Sequence, residues 1–178
     1  EKLGITPDDM VEDKAINIDG YAPQNYDKTY HGMVPLKQAF GLSLNTVSVQ
    51  LAYKTGPASV IQTARRAGLT GDMPRDLSLS LGSASVSMLD MATAYAAFAN
   101  DGKAVQPFAI KRIKTIEGDV LFDHEEHSPT TVFNKSDVYM LKDMMYYGVE
   151  QGTGKRARLD KRSVFGKTGT SEDYRDAW

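Results

Sequence analysis

The run Ser163-Val164-Phe165-Gly166-Lys167-Thr168-Gly169-Thr170, set against Ser43-Leu44-Asn45, decides how this chain is read, and Ser43 precedes Lys167 by 124 positions. The first run is β-prone and carries two glycines. A Lys167 ammonium and the Thr168 and Thr170 hydroxyls, alternating with backbone N–H groups, can grip a carboxylate. Gly169 removes a side chain, so another extended backbone can lie alongside. Each motif alone has a bland reading. A Lys-Thr-Gly triplet is usually a surface turn, and a serine and asparagine ahead of a helix are more often caps than catalysts. Gly166-Lys167-Thr168 also invites a phosphate-loop reading. That motif needs a glycine at position 161, where Lys161 stands, and a helix afterwards, where Gly169-Thr170-Ser171 follows.

The rest of the chain narrows the field. Its 178 residues carry 21 Lys+Arg against 23 Asp+Glu, a net charge of −2. That balance argues against a broad nucleic-acid or anionic-membrane surface, either of which needs a basic excess on one face. With no cysteine, a disulfide scaffold, a thiolate zinc site and a cysteine nucleophile are excluded. His124 and His127 lie beside Glu125 and Glu126 in a polar loop that reads as solvated, and no metal site is expected. A Ser-His-Asp hydrolase should show Gly-x-Ser-x-Gly, and none is present. No stretch reaches the roughly 18–20 apolar residues of a membrane span. The beginning, Glu1-Lys2-Leu3-Gly4-Ile5, has no initiator Met, and the end, Asp176-Ala177-Trp178, leaves a large indole without an obvious partner. Both ends read as cuts within a longer domain.

Turn formers fill residues 1–32, which predicts an irregular lead-in. Residues 33–151 predict a helical block. Pro35 suits a first helical position, and Leu36, Ala39 and Phe40 form a stripe. Asn45 can cap a second helix facing Val47 and Leu51 inward and closed by Gly56, and Pro57 starts a third that ends at Gly68. The three should form a compact bundle. Residues 69–85 predict a loop with an apolar Leu77–Leu81 run. Ser87-x-x-Asp90 resembles a capping box opening a helix whose other faces of Ala, Thr and Met predict heavy burial. A hairpin is expected near 107–123, turning at Glu117-Gly118-Asp119. Asn134 caps a last long helix with Val138, Leu141, Met145 and Val149 inside, broken by Gly152-Thr153-Gly154. Residues 163–171 predict a strand.

The conjunction of motifs is far more specific than either alone. Serine acyl-transferases that recognise penicillin carry S-x-x-K, then S-x-N, then K-T-G, in that order. The segments YAPQNYDKTYHGMVPLKQAFGLSLNTVSVQLAYKTG (21–56), LSLSLGSASVSMLDMATAYAAFANDGK (77–103), QGTGKRARL and SVFGKTGTSEDYRDAW (151–178) resemble the transpeptidase domain of bifunctional, class A penicillin-binding proteins. The resemblance covers nearly the whole chain. It implies an α+β, β-lactamase-like fold, incomplete here, that is mostly helical with the K-T-G strand in an antiparallel sheet. It requires no cofactor.

One departure matters as much as the match. No Ser-x-x-Lys occurs anywhere, since Ser163 stands one residue too far from Lys167. The resemblance places the nucleophilic serine and its lysine shortly upstream of the segment matching 1–32, and further strands beyond the segment matching 171–178. What it implies for the complete site is acyl transfer. The upstream serine would attack the carbonyl between the two D-alanines of a peptidoglycan stem peptide, and a neighbouring stem's amine would resolve the acyl-enzyme. Ser43 would pass a proton toward the leaving amine, and Asn45 would hold the substrate amide and orient the catalytic lysine. Lys167 would attract the terminal carboxylate, with Thr168 and Thr170 as hydroxyl donors beside Gly169. The Thr170 N–H would be one arm of the oxyanion hole. The implied partners are stem peptides ending in D-Ala-D-Ala and the β-lactams that mimic them, at the outer face of a bacterial cytoplasmic membrane. A glycosyltransferase domain and membrane anchor would precede the chain. A serine β-lactamase, which would hydrolyse the acyl-enzyme, and a β-lactam sensor share the motifs. The YAPQNY segment and the GTG and KTGT motifs favour the biosynthetic enzyme.

Overall fold

A computed structural model describes residues 3–125 and 128–170. His127, Ser171 and the Asp176–Trp178 end therefore lie outside the described residues. Helices make up most of the regular structure among the described residues, with two small antiparallel sheets of two strands each. Among the described residues no helix is long and apolar enough to cross a membrane.

The lead-in expected to be irregular contains a strand. β1 (Met10–Asp13) pairs antiparallel with β2 (Gly32–Pro35), with Val11 opposite Val34 and Asp13 opposite Gly32. Four residues are too few for alternation to stand out among so many turn formers, but the pairing gives β1 a buried partner. Pro35 ends β2 and precedes α1 (Leu36–Gly41) rather than opening its first turn. The chain then passes through Leu42 and Ser43 into α2 (Asn45–Thr55), which Gly56 closes at φ 80°. Val34, Ala39, Leu44 and Val47 form one core, with Val11, Leu36, Leu42 and Leu51 packed against it.

α3 (Pro57–Arg66) starts on its proline as expected, and the Leu77–Leu81 run winds into a 3₁₀ turn against α2. In α4 (Met88–Ala99) the Ser87 hydroxyl accepts the Asp90 N–H at 3.0 Å, the expected cap. Its burial is narrower than composition suggests. Ala94 and Ala97 are buried, whereas Met88 and Leu89 are exposed, because α4 packs by one face only. β3 (Arg112–Lys114) and β4 (Val120–Asp123) form the expected hairpin, clasped by Arg112 and Asp123 at 2.6 Å. α5 (Lys135–Glu150) follows Asn134 and buries Val138, Met145 and Val149, with Leu141 half-buried. Ala67, Ala94, Phe133 and Val138 make a second core. The three early helices do not form a bundle of their own, since α1 packs chiefly on α5.

The expected strand over 163–171 is not formed at 163–169, which have no regular secondary structure. A strand needs a ladder partner, and among the described residues both pairs of named strands lie elsewhere. The segment is held instead by contacts to the carboxyl end of α5. There Gly41 and Gly166 both lie beside Gly148. A β-carbon on Gly148 would sit 3.4 Å from the Gly166 carbonyl oxygen and 3.7 Å from the Gly41 Cα. A β-carbon on Gly152 would meet the Gly41 carbonyl oxygen at 2.1 Å.

A buried carboxylate anchors the other side. The Asp13 side chain is wholly buried. It accepts from Asn25 Nδ2 at 2.9 and 3.0 Å, from the His31 N–H at 2.8 Å, from His31 Nδ1 at 2.9 Å and from the Thr46 hydroxyl. Burial pushes this carboxyl up, but the hydrogen bonds from Thr46, Asn25 and His31 outweigh it and hold the group below its ordinary value.

Gly152→Ala should cost about 3 kcal/mol, because its neighbour is backbone that cannot turn aside, read as a lower urea midpoint by circular dichroism. Asp13, with a depressed folded pKa, contributes stability that is present above about pH 3.9 and is lost as pH falls through its folded value. Asp13→Asn should therefore be less stable at pH 7 and show a shallower loss of stability below about pH 4 in denaturation at stepped pH.

Candidate active site

Ser43 stands between two helices in a conformation most side chains avoid. Its φ is 59°, in the left-handed region. The turn is held by Ser43 N–H to the Phe40 carbonyl at 3.1 Å and Leu44 N–H to the Ala39 carbonyl at 3.0 Å. Leu44, not Asn45, occupies the N-cap of α2, and Asn45 is its first helical residue. The capping reading of Asn45 thus gives way. Its Nδ2 donates instead to the Gln24 carbonyl at 2.8 Å. A carbonyl only accepts, so the NH₂ end of the carboxamide must face Gln24, leaving Oδ1 as the end that can meet a donor.

Lys167 reaches this turn from far along the chain. Its Nζ donates to Ser43 Oγ at 2.8 Å and to the Thr168 carbonyl at 3.0 Å, and lies 5.8 Å from the centre of the Phe40 ring. Desolvation pushes the Lys167 ammonium below its usual pKa. Among the described residues no carboxylate is bonded to it. A half-buried cation whose partners are a hydroxyl, a carbonyl and a ring face is poorly compensated, and an arriving anion would complete its surroundings.

Thr168 is set by Thr153 of the GTG turn, a residue to which the sequence assigned no role in the site. Thr153 donates its N–H to the Gly41 carbonyl at 3.0 Å, and its hydroxyl lies 2.7 Å from the Thr168 hydroxyl. The Gly152-Thr153-Gly154 turn, which in the sequence marks a helix break and part of the family resemblance but no contact, thereby links the end of α1 to Thr168. In the sequence Phe40 shows only as part of an apolar stripe. Asp13, hidden in the lead-in, gave no sequence signal beyond being one acid among many. Thr168, Gly169 and Thr170 are exposed beside Lys167. Among the described residues no group of three or more His, Asp or Glu side chains is placed to hold a metal ion.

The geometry brings Ser43 and Lys167 into direct contact, with Asn45 two residues beyond Ser43 and Thr168–Thr170 following Lys167. Such a site can bind a carboxylate and pass a proton between the Lys167 ammonium and the Ser43 hydroxyl.

Comparison with known proteins places the chain in a family. The family model of the penicillin binding protein transpeptidase domain matches residues 3–177. Penicillin-binding protein 1A of Aquifex aeolicus is 39% identical over 160 residues, covering 89% of this chain and 22% of that protein. Penicillin-binding protein 1B of Vibrio cholerae is 33% identical over 176 residues, covering 94% of this chain and again 22% of the relative. This chain therefore spans less than a quarter of the length of these two relatives. Among solved structures, penicillin-binding protein 1A from Haemophilus influenzae superposes with a TM-score of 0.89 at 23% identity, over 98% of this chain and 33% of that one. PonA1 from Mycobacterium tuberculosis, solved in complex with penicillin V, gives 0.84 at 24% identity, over 96% and 49%. A family match across residues 3–177, on a fold that brings the S-x-N serine onto the K-T-G lysine, makes this chain a member of the penicillin-binding protein transpeptidase domain family.

Proposed function

We propose that this chain supplies the substrate-binding and proton-relay part of a serine-type D,D-transpeptidase that cross-links peptidoglycan stem peptides. The observation that carries this reading is the 2.8 Å contact of Lys167 Nζ with Ser43 Oγ, made between two motifs 124 positions apart. The nucleophile belongs to an S-x-x-K serine that this sequence does not contain.

In the proposed reaction the S-x-x-K lysine takes the proton of that serine as its oxygen attacks the carbonyl carbon between two D-alanines. The C–O bond forms, the C–N bond breaks, and the terminal D-alanine leaves as an amine after taking a proton from Ser43, which Lys167 replenishes. The amine of a second stem then attacks the ester and forms the new amide as the C–O bond breaks, its proton passing back through Ser43 to Lys167 while the S-x-x-K lysine returns a proton to the serine oxygen. Lys167, Thr168 and Thr170 hold the terminal carboxylate, Gly169 gives the extended substrate room, and Asn45 Oδ1 accepts from its amide. The Thr170 N–H serves the oxyanion, where losing one donor costs about 10²–10³ in rate. A β-lactam enters by the same carboxylate and carbonyl chemistry, and the penicillin V complex of PonA1 supports that expectation. The site would work at the outer face of the cytoplasmic membrane, where the stem peptides are.

The 178-residue chain alone should gain no mass on incubation with penicillin. An increase of one acyl group by intact mass spectrometry would overturn the assignment of the nucleophile to another segment. In the full-length protein that contains this chain, acylation should persist, whereas rapid release of the acyl group would point to a β-lactamase. Lys167→Met in that protein should slow penicillin acylation by about 10–100-fold, the worth of a hydrogen bond to a charged group. Stability should stay within about 1 kcal/mol, because the lost group is an uncompensated, partly desolvated charge.

A further inference from the structure

We propose that Asp13, which touches neither Ser43 nor Lys167, is the positioning residue that fixes how Asn45 presents its carboxamide. This rests on the reading of Asn45 as the group that holds the substrate amide. Two chain neighbours carry the effect. Asn25 and Thr46 both donate to Asp13, and they directly follow Gln24 and Asn45, the two residues joined by the Asn45 Nδ2 to Gln24 carbonyl bond. The Thr46 N–H also donates to Asn25 Oδ1 at 3.4 Å, which ties the two arms to each other.

The anchor is rigid for a physical reason. Asp13, Asn25 and Thr46 have relative exposures of 1%, 3% and 0%. No water competes for these bonds, and a carboxylate that lost one of them would be left buried and under-satisfied. Asn25 spends its amide on both Asp13 oxygens and on the Thr29 carbonyl, so its own rotation is blocked. The Gln24 carbonyl is thereby set at a fixed place beside the first turn of α2. Facing it, the Asn45 carboxamide can satisfy that carbonyl only with its NH₂ end. Its oxygen is then the end offered to a substrate N–H. Without the anchor, the carboxamide could turn over and offer a donor to a donor.

The test uses the full-length protein that contains this chain, with the rate of acylation by penicillin as readout. Thr46→Val removes one arm without touching Asn45, and should slow acylation by about tenfold. Thr46→Ser keeps the hydroxyl and should restore the rate to within about twofold. In an Asn45→Ala background, Thr46→Val should change the rate by less than about twofold, because its effect runs through Asn45. Equal slowing in both backgrounds, or no slowing in a folded Thr46→Val protein, overturns the proposal. If Thr46→Val does not fold, Thr46→Ala carries the same comparison. If Asn45→Ala itself acylates at the native rate, the substrate reading of Asn45 fails, and the positioning claim is decided by hydrogen exchange at Asn45 Nδ2 in asparagine-labelled protein. Slow exchange that rises at least about fivefold in the variant that folds upholds it, and an unchanged rate overturns it.

Discussion

The contact between Lys167 and Ser43 depends on how closely three pieces of backbone can approach at the carboxyl end of α5. Gly41 ends α1 two residues before Ser43, and Gly166 immediately precedes Lys167. Both lie beside Gly148, where a β-carbon would already be in van der Waals contact with each of them. A methyl group at Gly152 would overlap the Gly41 carbonyl outright, and one at Gly41 would come within 2.7 Å of the Tyr147 ring. The Thr153 N–H then fixes Gly41 from the same turn. Helix α5 is thus the part against which both motifs are registered, although it contributes no group to the chemistry. A shift of either motif by one ångström would break a hydrogen bond that tolerates only a few tenths.

Two oppositely charged groups divide the work of structure and function. Asp13 is the more buried of the two and is saturated with donors, so its charge is compensated and its place is fixed. Lys167 is less buried, yet no acid among the described residues is bonded to it, and desolvation alone shifts its pKa. A saturated buried charge organises its surroundings, whereas an unsaturated one leaves room for an anion, as the proposed carboxylate-binding role of Lys167 requires. The surface ion pairs of the chain, such as Lys14 with Glu12 or Lys37 with Asp8, belong to neither kind. Screened and exposed, they contribute little.

Signals confined to a few neighbouring residues were legible in the sequence. The Ser87 cap with Asp90, the proline at the head of α3, the hairpin turning at Gly118 and the stripe of α5 each follow from a local pattern. The meeting of Ser43 with Lys167 was legible only as a conjunction of motifs, because no periodicity relates residues so far apart. What escaped was whatever depended on a distant partner. Strand β1 exists because Gly32–Pro35 lies beside it, and Thr153 matters because Gly41 and Thr168 converge on it. The same reasoning explains the opposite error at 163–169. Strand propensity was present there, but a ladder is a property of two segments, and the pattern of one cannot supply the other.

Ser43 shows why the site cannot be understood as a cap that acquired chemistry. A left-handed φ on a serine costs on the order of 1 kcal/mol relative to the right-handed helix that surrounds it. Glycine would remove that cost but also the hydroxyl to which Lys167 donates. Asparagine suits the left-handed region better than most residues and would still fill the turn. Its side chain, however, is longer by an amide and could not present a single oxygen, able both to accept from an ammonium and to donate a proton, at 2.8 Å from Nζ. A cap would be relieved by adopting the extended backbone that caps prefer. Here that extended backbone belongs to Leu44, one residue later, and the left-handed turn aims the hydroxyl back across α1 toward Lys167. The strain is the geometric condition for the contact, and the helix ends on either side of it are what hold it in place.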